Sequence, residues 1–158
     1  MKNIVLVRID DRLVHGQVMT SWLNYTGANK IMVIDDEVAE DKFLKSVLKT
    51  VVPSNVKLAC FNVENGVVKL MKGFDVQDKV IVLVKFPKTL HRLMEKGVVF
   101  QNINIGGMGV SGTRTKFYKN ISASNEEKIM LKELIEKGSS IKVQIIAEDS
   151  PTDVSSLL

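Results

Sequence analysis

Val80-Ile81-Val82-Leu83-Val84 is an unbroken apolar run with no polar residue to turn toward water. A run of this length flanked by polar residues reads as a strand buried on both faces, which requires a parallel sheet covered above and below. Similar runs recur at Ile4-Val5-Leu6-Val7 and Ile31-Met32-Val33-Ile34, with helical spacing of apolar residues between them. Strands are expected at about Lys2–Arg8, Lys30–Ile34, Val56–Phe61, Lys79–Lys85, Gln101–Ile105 and Ile141–Ala147.

The intervening stretches read as helices. Val14, Val18, Met19, Trp22 and Leu23 place one over about Val14–Tyr25. Phe43, Leu44, Val47, Leu48 and Val51 form the apolar stripe of a second, from near Asp41 to Thr50, which Pro53 stops. A short third carries Val63, Val67, Leu70 and Met71 on one side, and Pro87 opens a fourth with Leu90, Leu93 and Met94 inward. Ser124 with Glu127 three residues later forms a capping box for a last helix bearing Ile129, Met130, Leu134 and Ile135, which ends at Gly138. Thr115–Ser122 is expected as an edge strand, and Glu148–Leu158 shows no clear pattern. Alternation of this kind predicts one α/β domain over residues 1–158, an open, mostly parallel twisted sheet with helices on both faces.

With 45% apolar and 25% charged residues the chain has a soluble globular balance. No apolar run approaches the ~18 residues of a membrane span. The opening strand-like run meets Arg8 and Asp10 at once, unlike a secretory leader, so a cytoplasmic location is expected. The net charge of +4, with no basic-aromatic cluster, argues against nucleic acid. The single cysteine, Cys60, reads as a small core residue.

Chemistry concentrates in Arg8-Ile9-Asp10-Asp11-Arg12-Leu13-Val14-His15-Gly16-Gln17-Val18, between the first strand and the first helix. In an open α/β sheet such loops hold ligands. Metal binding is disfavoured because only His91 could join His15 as a second histidine, and two arginines oppose a cation. Hydrolysis of the Ser-His type lacks a nucleophile in the loop. A phosphoryl carrier needs less: a neutral imidazole nitrogen and donors for phosphoryl oxygens. His15 supplies the first. Arg12 is near enough to face the same anion, and its charge favours the neutral ring. The helix start adds free N–H groups and a positive dipole end. Gly16 leaves room for a partner to approach the ring. Asp10 and Asp11 would repel phosphate and are better read as holding Arg8 or Arg12, or as helix caps. A histidine near a helix start is also commonly an ordinary surface residue.

The stretch Arg8–Val18 resembles the active-site segment of the IIB component of the bacterial phosphoenolpyruvate-dependent sugar phosphotransferase system, mannose/fructose/sorbose family. Val33-Ile34-Asp35-Asp36-Glu37-Val38-Ala39 and Asn104-Ile105-Gly106-Gly107-Met108 resemble family features too. The resemblance implies a phosphotransferase with a mostly parallel sheet of about seven strands and no cofactor. It implies that His15 accepts phosphate on Nδ1 (the pros nitrogen) from a phosphohistidine on a IIA protein, then passes it to a sugar carried by membrane subunits IIC and IID. Arg12 is implied to bind the phosphoryl group, with Arg8 and Asp10 in less defined supporting roles. It further implies a place at the inner face of the membrane through IIC and IID, and leaves a homo-oligomer open. The alternative is a non-catalytic regulatory module that binds a phosphorylated partner through Arg8, Arg12 and the helix end.

Other residues have weaker readings. Gly106 and Gly107 are expected either as a turn that lets backbone approach the phosphoryl group or as a tight turn with positive φ. Asp35 and Asp36 either line the same edge as His15 or cap a helix. Lys88 could help dock the donor, or is an ordinary exposed lysine. His91 is expected on a helix surface, and Met19 and Trp22 in the core. His15 itself is expected to be accessible on a fairly flat surface, as a transient docking face requires.

Overall fold

The computed structural model describes residues 1–158, Gln17 through its backbone only. The elements run β1 (Ile4–Asp10), α1 (Gly16–Thr26), β2 (Lys30–Ile34), α2 (Asp36–Glu40), α3 (Lys42–Val51), β3 (Lys57–Phe61), α4 (Val63–Lys72), β4 (Val80–Val84), α5 (Pro87–Glu95) and β5 (Asn102–Gly107). They continue with β6 (Thr115–Tyr118), β7 (Ile121–Ala123), α6 (Asn125–Glu136), β8 (Ser140–Val143), β9 (Thr152–Asp153) and a 3-10 turn at Ser155–Leu157. The expected single α/β domain is thus realised as a seven-stranded sheet in the order β3-β2-β4-β1-β5-β8-β9. Its pairs are parallel except β8 with β9.

Two cores sandwich this sheet. On one face Trp22 and Leu23 of α1, Val38 of α2 and Leu48 of α3 pack on Ile31, Val33, Ile81 and Leu83. On the other, Leu70 of α4, Leu90 and Leu93 of α5, and Leu131 and Leu134 of α6 pack on Val82, Val84, Ile103, Ile105 and Ile141. The run Val80–Val84 is buried throughout, as its composition demands. β5 and β8 differ. Ile103, Ile105, Ile141 and Val143 enter the core, whereas Asn102, Asn104, Ser140 and Lys142 alternate with them. The polar members line a groove of about 520 Å³ beside Trp22 and Tyr25 of α1.

Several boundaries depart from the sequence expectation. β1 reaches Asp10, because Ile9 and Asp10 pair with Ile105 and Gly107 of β5. α1 starts at Gly16, while Leu13 and Val14 are buried in the preceding loop. The acidic stretch before α3 folds into α2, capped by Asp35 accepting from Val38 N at 3.0 Å. Residues expected as one edge strand form the β6-β7 hairpin, apart from the main sheet. The last long strand stops at Val143, and the tail returns antiparallel as β9. Phe43 does not join the apolar side of its helix: Leu44 and Leu48 turn inward, and Phe43 stands 80% exposed.

Candidate functional site

The chain leaves β1 toward β2 and leaves β5 toward β8, so the carboxyl ends of β1 and β5 form the switch point of the sheet. His15 stands just beyond that point.

The base of the site is built from charge. Arg8 and Asp10 are fully buried. Arg8 donates from Nη1 to Asn104 Oδ1 at 2.5 Å and to Gln144 O at 2.9 Å, and from Nη2 to Ile145 O at 2.9 Å and Asp10 Oδ2 at 3.2 Å. Its guanidinium lies 5.4 Å from the Trp22 ring centroid, and the indole N–H donates to the same Ile145 carbonyl at 3.0 Å. Burial pushes the Arg8 guanidinium down to about 10, with Asp10 opposing, so it stays charged at neutral pH. Enclosed in this way, Arg8 has no side-chain surface open to solvent. It anchors Asp10.

Asp10 is the hub. Its carboxylate accepts from Arg12 N at 3.1 Å, Arg12 Nε at 3.2 Å, Arg8 Nη2 at 3.2 Å and His15 Nε2 at 3.0 Å. Burial alone would raise its titration. The hydrogen bonds from His15 and Arg12 and the charge of Arg8 outweigh that and hold it below the ordinary aspartate value. An ionised carboxylate only accepts, so the proton of a neutral His15 ring sits on Nε2 and the lone pair on Nδ1. The His15 side chain is 24% exposed and that of Arg12 53% exposed.

The glycines after Ile105 are strand residues, not turn residues, and neither has positive φ. Gly106 is needed because a Cβ there would overlap the Arg8 guanidinium. At Gly107 a Cβ would come within 2.6 Å of Asp10 Oδ1 and 3.1 Å of Arg12 Nη2. Both make space for the charged hub.

A tight turn then lifts His15 to the start of α1. Leu13 N donates to Asp10 O at 2.9 Å, and Leu13 takes φ 59°, a left-handed conformation costing a leucine about 1–2 kcal/mol. Its buried side chain and that of Val14 anchor the turn in the core beneath α1. His15 is the N-cap residue, but its side chain makes no capping bond, and the first turn holds no acidic residue. No carboxylate within the first turn of α1 itself offsets its N-terminal dipole. Gly16 has φ 35°, and a Cβ there would meet nothing within 4 Å, which keeps that side of the ring open. The 520 Å³ groove does not include His15.

A second charged cluster braces the same turn. Asp11 accepts from Gly109 N at 2.8 Å and from Arg114 Nη1 at 3.4 Å. Arg114 is buried, donates to both Glu127 oxygens at 2.8 and 2.9 Å, and stacks over Phe86. Asp11 thus ties the loop after β5 to the His15 turn. Arg114, Asn104 and the Gln144 and Ile145 carbonyls escaped the sequence reading. Only Glu127 carried a signal there, as the capping-box partner of Ser124, and that box is present.

The remaining candidates lie elsewhere. Asp35 caps α2, and Asp36 accepts from Val63 N at 2.9 Å and Arg92 at 2.8 Å, so both serve the scaffold. Lys88 is exposed in the first turn of α5. His91 is not a free surface residue: it is wedged between α5 and α6 against Glu133 and Glu95. Cys60 is half-buried, and burial pushes its thiol up against the opposing charges of Lys45 and Lys49, which makes it a poor nucleophile.

Comparison with known proteins gives a consistent picture. A family model described as PTS system sorbose subfamily IIB component matches residues 4–158. The chain is 32% identical to the PTS system fructose-specific EIIB component of Bacillus subtilis, over 100% of this chain and 97% of that one. It is 31% identical to the mannose-specific EIIAB component of Escherichia coli over 98% of this chain but 48% of the longer relative. The crystal structure of manxB from Thermoanaerobacter tengcongensis superposes with a TM-score of 0.89 at 34% identity, covering 98% of this chain and 93% of that one. Among the described residues no helix is long and apolar enough to cross a membrane.

Proposed function

The chain belongs to the sorbose-subfamily IIB components of the sugar phosphotransferase system, and on that premise we propose that it carries a phosphoryl group on His15 from a IIA protein to a sugar. The observation that carries this reading is the 3.0 Å contact between His15 Nε2 and the buried Asp10 carboxylate, which leaves Nδ1 as the free nucleophile.

In the first step the Nδ1 lone pair attacks the phosphorus of the donor phosphohistidine. The donor's P–N bond breaks, its electron pair stays with the donor ring, and a new P–N bond forms at His15. The His15 ring gains positive character as its lone pair is shared, and Asp10, already bonded to Nε2–H, balances that charge without moving. Arg12 directs N–H donors at the phosphoryl oxygens, and its half-exposed side chain is free to turn from Asp10 to do so. The N–H groups at the start of α1 lie beside the same position. In the second step a sugar hydroxyl oxygen attacks the phosphorus, the His15 P–N bond breaks with its electron pair returning to Nδ1, and the hydroxyl proton passes to water, which leaves a phosphorylated sugar and a neutral His15 ring that keeps its proton on Nε2.

The partners of this reading are a IIA donor, the membrane subunits IIC and IID, and the sugar. It places the chain in the cytoplasm at the inner membrane face. The relatives named for fructose and mannose indicate a hexose-type substrate, whose choice is assigned to the membrane subunits. The test is incubation with phosphoenolpyruvate, the general phosphotransferase proteins and a IIA protein, followed by intact-mass measurement. One acid-labile, alkali-stable phosphoryl group is expected. Equal uptake by His15→Ala would overturn the assignment.

A further inference from the structure

Asn104 lies on β5, buried, and pairs across the sheet with Arg8 of β1. Both ends of its amide are used. Nδ2 donates to Gln144 O at 3.1 Å, and Oδ1 accepts from Arg8 Nη1 at 2.5 Å. The reverse orientation would set oxygen against the Gln144 carbonyl and nitrogen against the guanidinium, so the Gln144 bond fixes which atom faces Arg8. Arg8 Nε has no partner among the described residues, so the tilt of the guanidinium is set by what its two terminal nitrogens bind. Asn104 and Gln144 O hold Nη1; Ile145 O and Asp10 Oδ2 hold Nη2. The carboxylate oxygen that receives Nη2 is also the one that receives His15 Nε2, while the two shorter Arg12 bonds go to Oδ1.

An unbroken line of hydrogen bonds thus runs from Asn104 through Arg8 and Asp10 Oδ2 to His15. We propose that Asn104 is a positioning residue for phosphoryl transfer: by pinning Nη1 it aims Nη2 at Asp10 Oδ2, and so holds the His15 ring by Nε2 and leaves Nδ1 for the donor. This rests on His15 being the phosphoryl carrier. A neutral amide suits the task. A carboxylate at 104 would offer Arg8 a second counter-ion and draw it from Asp10. With the amide and two backbone carbonyls as its other acceptors, Arg8 has Asp10 as its one bonded carboxylate among the described residues. A buried charge directed at a single partner orients that partner strongly, and a shell of this kind is what keeps a reacting group in its productive geometry.

Asn104→Leu keeps the branched shape and removes the amide bonds, while Arg8 Nη1 retains Gln144 O; Asn104→Ala replaces it if leucine is not accommodated. With phosphorylated IIA protein as donor, kcat for uptake should fall about tenfold and KM stay within about twofold, because donor docking is untouched. Nitrogen-15 NMR of the neutral His15 ring, identified by its loss in His15→Ala, should show the Nε2–H form alone in the wild type and a mixture with the Nδ1–H form in the variant. In an Asp10→Asn background the same substitution should cause no further loss of kcat, since its effect passes through that carboxylate; a merely structural role would cost the same in both backgrounds. Unchanged kcat, a loss confined to KM, a single tautomer retained in the variant, or equal losses in both backgrounds would each overturn the proposal. The NMR measurement needs no donor, which separates failure here from failure of the carrier reading, seen instead as uptake by His15→Ala.

Discussion

The two histidines both rest Nε2 on a carboxylate, and the likeness ends there. His15 lies against Asp10, which is buried and held by Arg8 and Arg12. His91 lies against Glu133, a partly exposed helix residue, and its Nδ1 faces Glu95 at 3.6 Å. One ring has a fixed orientation, an Nδ1 without a partner among the described residues, a nearby arginine and a helix N-terminus. The other has carboxylates on both nitrogens, which suits a clasp between α5 and α6. A histidine–carboxylate pair therefore does not mark a nucleophile by itself. What distinguishes His15 is that, among the described residues, its second nitrogen has no partner, while an exposed arginine and a helix N-terminus stand beside it.

The sharpest way to break this contrast is to exchange the variants. Phosphoryl uptake from the donor should vanish in His15→Ala and proceed at the wild-type rate in His91→Ala, measured by intact mass over time. Labelling that depended on His91 would remove the distinction.

Next in size is Asp10→Asn. It leaves Arg8 as a buried charge without its counter-ion, and should lower stability to urea by about 3–5 kcal/mol. It also frees the His15 ring to turn, and should slow phosphoryl uptake roughly 100-fold in the folded protein. Glu133→Gln should alter stability by no more than ~0.5 kcal/mol and leave uptake unchanged.

Gly106→Ala tests the same hub from the other side. The added methyl meets the Arg8 guanidinium in a buried network with no free direction, so a loss of about 3 kcal/mol in urea denaturation is expected. Arg12→Lys keeps the charge but loses the planar fork. Uptake should fall about tenfold with stability nearly unchanged.

The smallest effect is on pH dependence. Asp10 titrates lower in the fold than in the unfolded chain, so its stabilisation is fully present above about pH 4, the ordinary aspartate value. It is lost as pH falls through the depressed native value. The stability difference between wild type and Asp10→Asn should therefore narrow in acid. A constant difference would show that the carboxylate's charge is not what holds the hub.

Much of the scaffold was legible because apolar periodicity is local. The strands of the central sheet, the Ser124 capping box and the placing of His15 at a helix start all followed from neighbours in the chain. Arg8 was expected only in a less defined supporting role, with Asp10 or Asp11 holding it or Arg12, and how deeply it is buried was not legible. Its burial depends on Asn104, on carbonyls near residue 145 and on the missing Cβ of Gly106, all brought to it by the β1-β5-β8 register. Phe43 was misjudged for a related reason. Helical spacing defines a stripe but not its width, and the sheet beneath α3 accommodated only Leu44 and Leu48.

The sequence by itself determined the alternation of strands and helices, the family, and the histidine at the head of the first helix. Only the tertiary structure decided how that histidine is prepared. Strand pairing carried Asp10 below the ring, Arg8 below Asp10, and Arg114, 103 positions away from Asp11, onto the brace of the same turn. Burial gives such charges their force, and burial is a property of the assembled sheet that no local stretch of residues contains.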